Sequence, residues 1–286
     1  MVKRLKRTIP MVALLVMLAA PAWGATVFYQ PQSRDSGLGP AQWSAIWEDL
    51  KRQGHDGLVV QWTRFNDEDF GGSTGWLAQV IDSAMEAGLE THIGLYWNDA
   101  WLDSLLADES AWGDRLNLML QRNLDTAHNW RHLVVRKEFA GWYLPLELPD
   151  RGLHDADRRA LLTRQVALLA GALDGPLAVS SYFTGFQLPR DYAGWLEALA
   201  EEAGVTLWVQ DGAGVKRLTS RERALYLELL DCRIGIIREA FEQTSAPEES
   251  FSARPGAPEA AVNVADCHET LLFSLRYIAA GNALPL

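Results

Sequence analysis

Short runs of consecutive apolar residues alternate along the chain with longer stretches in which apolar residues recur every three or four positions. The short runs predict buried strands and the longer stretches predict amphipathic helices. The predicted strands are Thr26–Gln30, Gly57–Trp62, Thr91–Trp97, Phe139–Leu146, Leu177–Phe183, Val205–Gln210 and Ile234–Phe241. The predicted helices are Pro40–Gln53, Trp76–Ala87, Asp114–His132, Asp155–Leu173, Asp191–Ala203, Ser220–Asp231 and Cys267–Ala280.

Strands that alternate with helices indicate parallel β-α units. Seven or eight such units in roughly 260 residues match an α/β fold of the (β/α)8 TIM-barrel type, forming a single domain over residues 25–286. An eighth strand is not visible, so it is irregular, missing or hidden in a predicted long loop over residues 244–266. An open doubly wound sheet is the alternative, but the segment Gln30–Arg34 after the first strand is not a Gly-rich phosphate loop.

The first 24 residues are predicted to be a secretory signal peptide rather than part of the fold. Lys3, Arg4, Lys6 and Arg7 precede a short apolar stretch, and small residues follow it up to Gly24. The apolar stretch is too short to span a bilayer comfortably. We therefore expect a periplasmic or secreted protein with no stable membrane insertion after cleavage.

The composition is acidic, with 37 Asp and Glu against 26 Lys and Arg and a net charge of −11. Loss of the basic leader makes the mature chain more acidic still. Because a negative surface repels phosphate groups, nucleic acid is excluded as an expected partner, and anionic membranes are disfavoured.

Two cysteines, Cys232 and Cys267, lie in the mature chain. Export to an oxidising compartment permits a disulfide, but the sequence gives no distance between them, so buried thiols remain the alternative. His128 and His132 are four residues apart but have no further ligand nearby, and they are expected on a solvated helix face. We predict no metal site and no cofactor, and neither a G-x-S-x-G elbow nor a Walker loop is present.

Carboxylates occur where predicted strands end, which is the side of a barrel that carries the active site. Glu147 ends the fourth strand and Glu239 lies in the seventh, with Asp211 after the sixth as a third candidate catalytic residue. Glycoside hydrolysis uses two carboxyl groups, one as acid/base and one as nucleophile or base. The alternatives are a solvated loop carboxylate for Glu147, an ion pair with Arg238 for Glu239, and a turn residue for Asp211.

The same strand ends carry aromatic and amide side chains that suit sugar binding. Aromatic faces stack on the C–H faces of sugar rings, although packing at the barrel rim explains each aromatic residue about as well. Trp101, just past the end of the third strand, is likewise open to either sugar stacking or rim packing. The predicted substrate-binding residues are Tyr29, Gln30, Gln61, Trp62, Tyr96, Trp97, Tyr182 and Gln210.

The chain resembles a bacterial family of glycosidase-like TIM barrels that is catalogued as a domain of unknown function. The resemblance covers most of the mature chain and implies a barrel fold and polysaccharide hydrolysis. It matches Glu239-Ala240-Phe241 to a seventh-strand Glu-x-Phe motif, which favours Glu239 over the competing Glu242. The four/seven placement of two Glu is similar to a large clan of retaining glycosidases, except that Leu146 stands where that clan commonly has Asn. The resemblance rests on Phe28–Pro31, Val59–Trp62, Gly141–Glu147, Ser181–Phe183 and Val209–Gly212.

These observations predict an exported glycoside hydrolase that acts on a bacterial exopolysaccharide or cell-wall glycan, as in biofilms. Glu147 is the predicted general acid/base and Glu239 the predicted nucleophile or base. One alternative is a non-catalytic carbohydrate-binding barrel that assists polysaccharide secretion. Another is a structural partner in a secretion complex, which predicts a large exposed apolar patch instead of a cleft.

Overall fold

The computed structural model describes residues 26–106, 109–246, 249, 251–256 and 267–285. The predicted signal peptide lies outside these residues. Among the helices described, none combines the length and apolar character needed to cross a membrane.

Eight parallel strands close into a barrel, as the alternation of strands and helices predicts. The order around the barrel follows the chain, and the eighth strand pairs with both the seventh and the first. The strands are β1 Thr26–Tyr29, β2 Gly57–Val60, β3 Glu90–Gly94, β4 Phe139–Pro149, β5 Leu177–Tyr182, β6 Thr206–Gln210, β7 Gly235–Glu239 and β8 Thr270–Phe273.

Helices cover the outside of the barrel and bury one face each. In the first helix, Trp43, Ile46, Trp47 and Leu50 are buried at helical spacing. The helices are α1 Pro40–Arg52, α2 Trp76–Glu86, α3 Ala100–Leu106, α4 Glu109–Trp130, α5 Ala156–Ala172, α6 Pro189–Ala203 and α7 Ser220–Leu227. Short 3₁₀ helices occur at Ser33–Gly37, Gly72–Thr74, Arg131–Leu133, Leu275–Tyr277 and Ala279–Gly281.

The prediction of a final helix over Cys267–Ala280 is wrong. Its residues form β8 at Thr270–Phe273, followed by the 3₁₀ turns Leu275–Tyr277 and Ala279–Gly281. The eighth strand is thus present, and it lies after the predicted loop over residues 244–266 and not within it. A run of three apolar residues cannot be distinguished from a helical segment by periodicity alone, and its pairing with β1 and β7 shows that it is a strand.

Two short ribbons sit above the barrel, near the loops that follow the strands. Phe241–Gln243 pairs antiparallel with Ala253–Pro255, so part of the predicted long loop is a strand; residues 247, 248, 250 and 257–266 lie outside the described part of the chain. Arg64–Phe65 pairs with Tyr96–Trp97, which divides the predicted third strand into two pieces. These ribbons extend the wall above the strand ends.

The inside of the barrel is a separate core from the layer between barrel and helices. Ring pairs fill it, such as Phe28 edge-on to Tyr143 at 5.4 Å between centroids and Tyr143 stacked on Trp208 at 5.7 Å. Because side chains alternate along a strand, the position of these residues fixes which later residues point inward. The buried interior set is Phe28, Val59, Tyr143, Ala178, Trp208, Ile237 and Leu271.

Cys232 and Cys267 form a disulfide, with 5.4 Å between their Cα atoms. The bond joins the approach to β7 to the approach to β8 and closes a segment with a sequence separation of 35 residues. His268 lies close to both sulfurs, but thiols bonded to each other are not available as metal ligands, so this cluster is structural.

Replacing both cysteines by serine is expected to lower the free energy of unfolding by about 3–4 kcal/mol, because the unfolded chain regains the entropy of an open loop. For a chain of this size that corresponds to a melting temperature lower by roughly 10 °C. Thermal unfolding of the double variant, compared with the oxidised parent, measures it. An unchanged melting temperature would show that the disulfide does not constrain the unfolded chain.

Candidate active site

A cavity of about 720 Å³ opens at the carboxyl ends of the barrel strands. The two-residue repeat of a strand explains its floor. Trp208 fills the barrel interior, and Gln210, two residues later, lines the cavity. Ile237 and Glu239 repeat this relation on β7. The predicted residues that line the cavity are Gln30, Gln61, Trp62, Trp97, Glu147, Tyr182, Gln210 and Glu239.

Glu147 lies in a bulge near the end of β4. Leu144 pairs with Val179 and Leu148 with Ser181, so the segment between the two leucines carries more residues than its partner segment on β5. The backbone of Glu147 has a φ of 45°, in the left-handed region that a non-glycine residue adopts at a cost. The bulge thereby turns this carboxylate into the cavity, whereas the neighbouring Leu146 and Leu148 are buried.

Among the described residues, one side-chain hydrogen bond holds the carboxyl of Glu147. Nε2 of Gln61, at the end of β2, donates to Oε1 of Glu147 at 2.8 Å. Burial raises the pKa of Glu147 to about 7, and the bond from Gln61 lowers it in part. Nearby, Nε1 of Trp101 donates to the carbonyl of Leu146 at 2.7 Å and fixes the bulge. Glu147 is therefore a desolvated carboxyl poised to exchange a proton near neutral pH.

Glu239 ends β7 and is only 3% exposed. Its Oε2 accepts hydrogen bonds from the backbone N–H groups of Gly214 at 2.6 Å and Val215 at 3.2 Å. Burial, and next the charge of Asp211, raise the pKa of Glu239 to about 8, while the two N–H groups lower it. Gly214 is required here, since a Cβ at that position would lie 2.5 Å from the carbonyl oxygen of Phe241.

Aromatic side chains line the cavity on the side of β2 and β3. The rings of Trp62 and Phe65 lie 4.7 Å apart, and Trp97 lines the same wall. Nε1 of Trp62 donates to the carbonyl of Pro31 at 3.1 Å, which fixes its orientation. Trp62 and Trp97 are mostly buried, so they pack the rim of the cavity that they line, and sugar binding by them stays a prediction.

The chain matches a model for the family "Domain of unknown function (DUF4434)" over residues 25–260. It is also 31% identical to "Uncharacterized protein YbcH" of Escherichia coli K12, over 96% of this chain and 97% of that protein. The chain belongs to the DUF4434 family. The family expected from the sequence motifs is thereby confirmed.

The barrel of this DUF4434 chain is similar in fold to a barrel of known structure. A "putative alpha-L-fucosidase" from Bacteroides thetaiotaomicron VPI-5482 superimposes with a TM-score of 0.62 at 14% identity, covering 97% of this chain and 95% of that one. An intracellular xylanase from Thermoanaerobacterium saccharolyticum JW/SL-YS485 gives a TM-score of 0.45 at 11% identity, covering 78% and 75%. At these identities the fucosidase likeness concerns the fold alone.

Two predicted tyrosines lie outside the cavity lining of the DUF4434 barrel, contrary to expectation. Tyr29 is one residue from the inward-facing Phe28, so it points toward the helices, where its hydroxyl donates to Oδ2 of Asp35 at 3.1 Å. Tyr96 is buried, and its hydroxyl accepts a hydrogen bond from Asn98 at 2.9 Å. Alternation along β1 thus turns the phenol of Tyr29 away from the cavity, whereas Tyr96 packs against α4, where Nη1 of Arg122 also donates to its hydroxyl.

Asp211 is also excluded from the cavity lining. It follows the inward-facing Gln210 by one residue, and its carboxylate forms an ion pair with Arg238 at 2.9 Å. The same carboxylate accepts the backbone N–H groups of Ala213 and Glu239. Asp211 is therefore a buried support for the turn that follows β6, as its alternative interpretation predicted.

Other residues in the cavity were not singled out from the sequence. Glu68, Asp99 and Arg217 come from loops after β2, β3 and β6, where no periodic pattern indicates which way a side chain points. The turn that holds Glu239 carries one recognisable signal, the Asp-Gly-Ala-Gly segment ending at Gly214, since closely spaced glycines mark a tight turn. Glu242, the competing carboxylate, lies outside the cavity lining and pairs with Lys216 and Arg254.

Proposed function

We propose that this protein is an exported glycoside hydrolase that acts on a bacterial exopolysaccharide or cell-wall glycan. The observation that carries the proposal is that two desolvated carboxyl groups, Glu147 on β4 and Glu239 on β7, line one cavity with aromatic side chains. Glycosidic cleavage needs this pair of groups and no other chemistry from the protein.

In the proposed reaction, Glu147 donates its proton to the glycosidic oxygen as the bond to the anomeric carbon breaks. Glu239 attacks the anomeric carbon in a retaining enzyme, or takes a proton from the attacking water in an inverting one. In a retaining enzyme Glu147 then accepts a proton from water and returns to its starting state. The backbone N–H groups of Gly214 and Val215 stabilise Glu239 whenever it is negative.

Purified mature protein incubated with a panel of bacterial exopolysaccharides and cell-wall glycans tests this proposal. New reducing ends on at least one glycan are the expected result. Glycan binding without new reducing ends favours the non-catalytic carbohydrate-binding barrel instead. Mass analysis of the protein recovered from the periplasm or medium tests export, with cleavage near Gly24 as the expected outcome.

The pH dependence of kcat/KM is expected to be a narrow bell with its maximum between about pH 7 and 8. Below this range both carboxyls are protonated and no nucleophile is available, so activity falls as pH decreases. Above it both are ionised and no acid is available, so activity falls as pH rises. Between the two pKa values the proton lies mainly on Glu239, so the catalytic form that carries it on Glu147 is a minor population at the maximum. A pH–rate profile measured on the best glycan of the panel checks this, and a maximum near pH 4–5 would contradict it.

A further inference from the structure

Among the polar side chains that line the cavity, the carboxylates already accept hydrogen bonds from the protein. Some of the donors, in contrast, make no hydrogen bond to a described residue. Glu68 accepts from Ser33 and from the backbone N–H of Phe70, and Asp99 accepts from Asn66. Glu147 and Glu239 are held as described above. The carboxylate oxygens are thus partly satisfied by the protein itself.

Several donors without such a bond lie on the opposite side, above β5 and β6; the amide of Gln30, after β1, also has none among the described residues. The hydroxyl of Tyr182 and the amide of Gln210 line the cavity and make no side-chain hydrogen bond to any described residue. Arg217, in the loop after β6, lines the cavity mouth with neither a hydrogen bond nor an ion pair to the described chain. β5 and β6 are paired neighbours, so these three donors belong to one sector.

We propose that this sector, Tyr182, Gln210 and Arg217, binds the carboxylate of an acidic sugar, so that the glycan contains uronic acid residues. A guanidinium offers paired N–H donors that match the two oxygens of a carboxylate. The tyrosine hydroxyl and glutamine amide supply further donors beside it. This inference rests on the proposed function, because it names the substrate class of the same cavity.

The negative charges around the sector limit the class of acidic glycan that can bind. Glu68 and Asp99 lie across the cavity, in the loops after β2 and β3, and the chain as a whole carries −11. A glycan with a carboxylate on every unit would be repelled by this surface. A glycan in which uronic acids alternate with neutral sugars places one carboxylate at Arg217 and neutral rings against the aromatic wall.

Binding of matched sugar pairs tests the inference. The probes are the methyl glycosides of glucuronic and galacturonic acid, each compared by NMR titration with the methyl glycoside of glucose or galactose, which carries a hydroxymethyl group instead. We expect at least one acidic probe to bind about 10-fold or more tighter than its neutral partner. In Arg217→Gln that preference should fall to nearly one, whereas Arg221→Gln, an exposed arginine outside the cavity lining, should keep it.

Equal binding within every pair, no binding of any acidic probe at 20 mM, or an unchanged preference in Arg217→Gln would each overturn the inference. Its failure is distinguishable from that of the proposed function. Acidic probes that bind through Arg217 to a protein that cleaves no glycan would leave this inference standing without hydrolysis. Cleavage of a neutral glycan at an unchanged rate in Arg217→Gln would support hydrolysis and overturn the inference about acidic sugars.

Discussion

Replacing Glu147 by glutamine is expected to lower kcat/KM for glycan hydrolysis by about 10³-fold, because the variant cannot donate a proton to the leaving oxygen. Glutamine keeps the volume of the side chain and an oxygen that can accept the bond from Nε2 of Gln61. The fold and glycan binding should therefore be retained. Steady-state kinetics on the glycan identified by screening, together with a binding titration, measure both effects.

Glu90→Gln is the matched control for this experiment, since Glu90 is an exposed carboxylate at the start of β3, at the other end of the barrel. It should leave hydrolysis unchanged. If Glu147→Gln keeps full activity, the assignment of Glu147 as the acid is wrong. If the parent binds glycan but shows no hydrolysis for the variant to lose, the carbohydrate-binding alternative gains support.

The fold could be predicted from the sequence where each strand is followed by a long amphipathic helix. α1, α2 and α4 to α7 give the alternation that identifies a parallel barrel, whereas the short α3 is not predicted. The rule fails after β7, because a hairpin and two 3₁₀ turns replace the expected unit. The three apolar residues from Leu271 to Phe273 carry too little pattern to be assigned, and the disulfide near them depends on a distance that sequence does not contain.

The candidate site was predictable to the extent that strand ends and alternation determine it. The position of Glu147 and Glu239 at strand ends predicts that they belong to the site, and both line the cavity. Tyr29 and Asp211 also lie at strand ends. Each directly follows an inward-facing residue, however, so its side chain points away from the cavity. The bulge that turns Glu147 inward is a non-local feature, since it exists only in the register between β4 and β5.

Replacing Glu239 is expected to have a still larger effect, on the order of 10⁴-fold in kcat, if it attacks the anomeric carbon. In Glu239→Gln the amide oxygen can still accept the N–H groups of Gly214 and Val215, so the turn after β6 should keep its position. The loss then reports missing nucleophilic or basic chemistry and not a rearranged loop. Kinetics on the same glycan, with circular dichroism as the check on folding, measure it.

The configuration of the product that the parent releases, together with azide rescue of the smaller variant Glu239→Ala, separates the two roles left open for this residue. Removing the side chain leaves space beside the anomeric carbon, which azide can occupy. In a retaining enzyme azide takes the place of the nucleophile, restores cleavage and gives a glycosyl azide of inverted configuration. In an inverting enzyme Glu239 acts on water, and a product of inverted configuration forms in the parent itself. Activity retained in both Glu239 variants would instead remove this residue from the mechanism and leave Glu147 without its partner on β7.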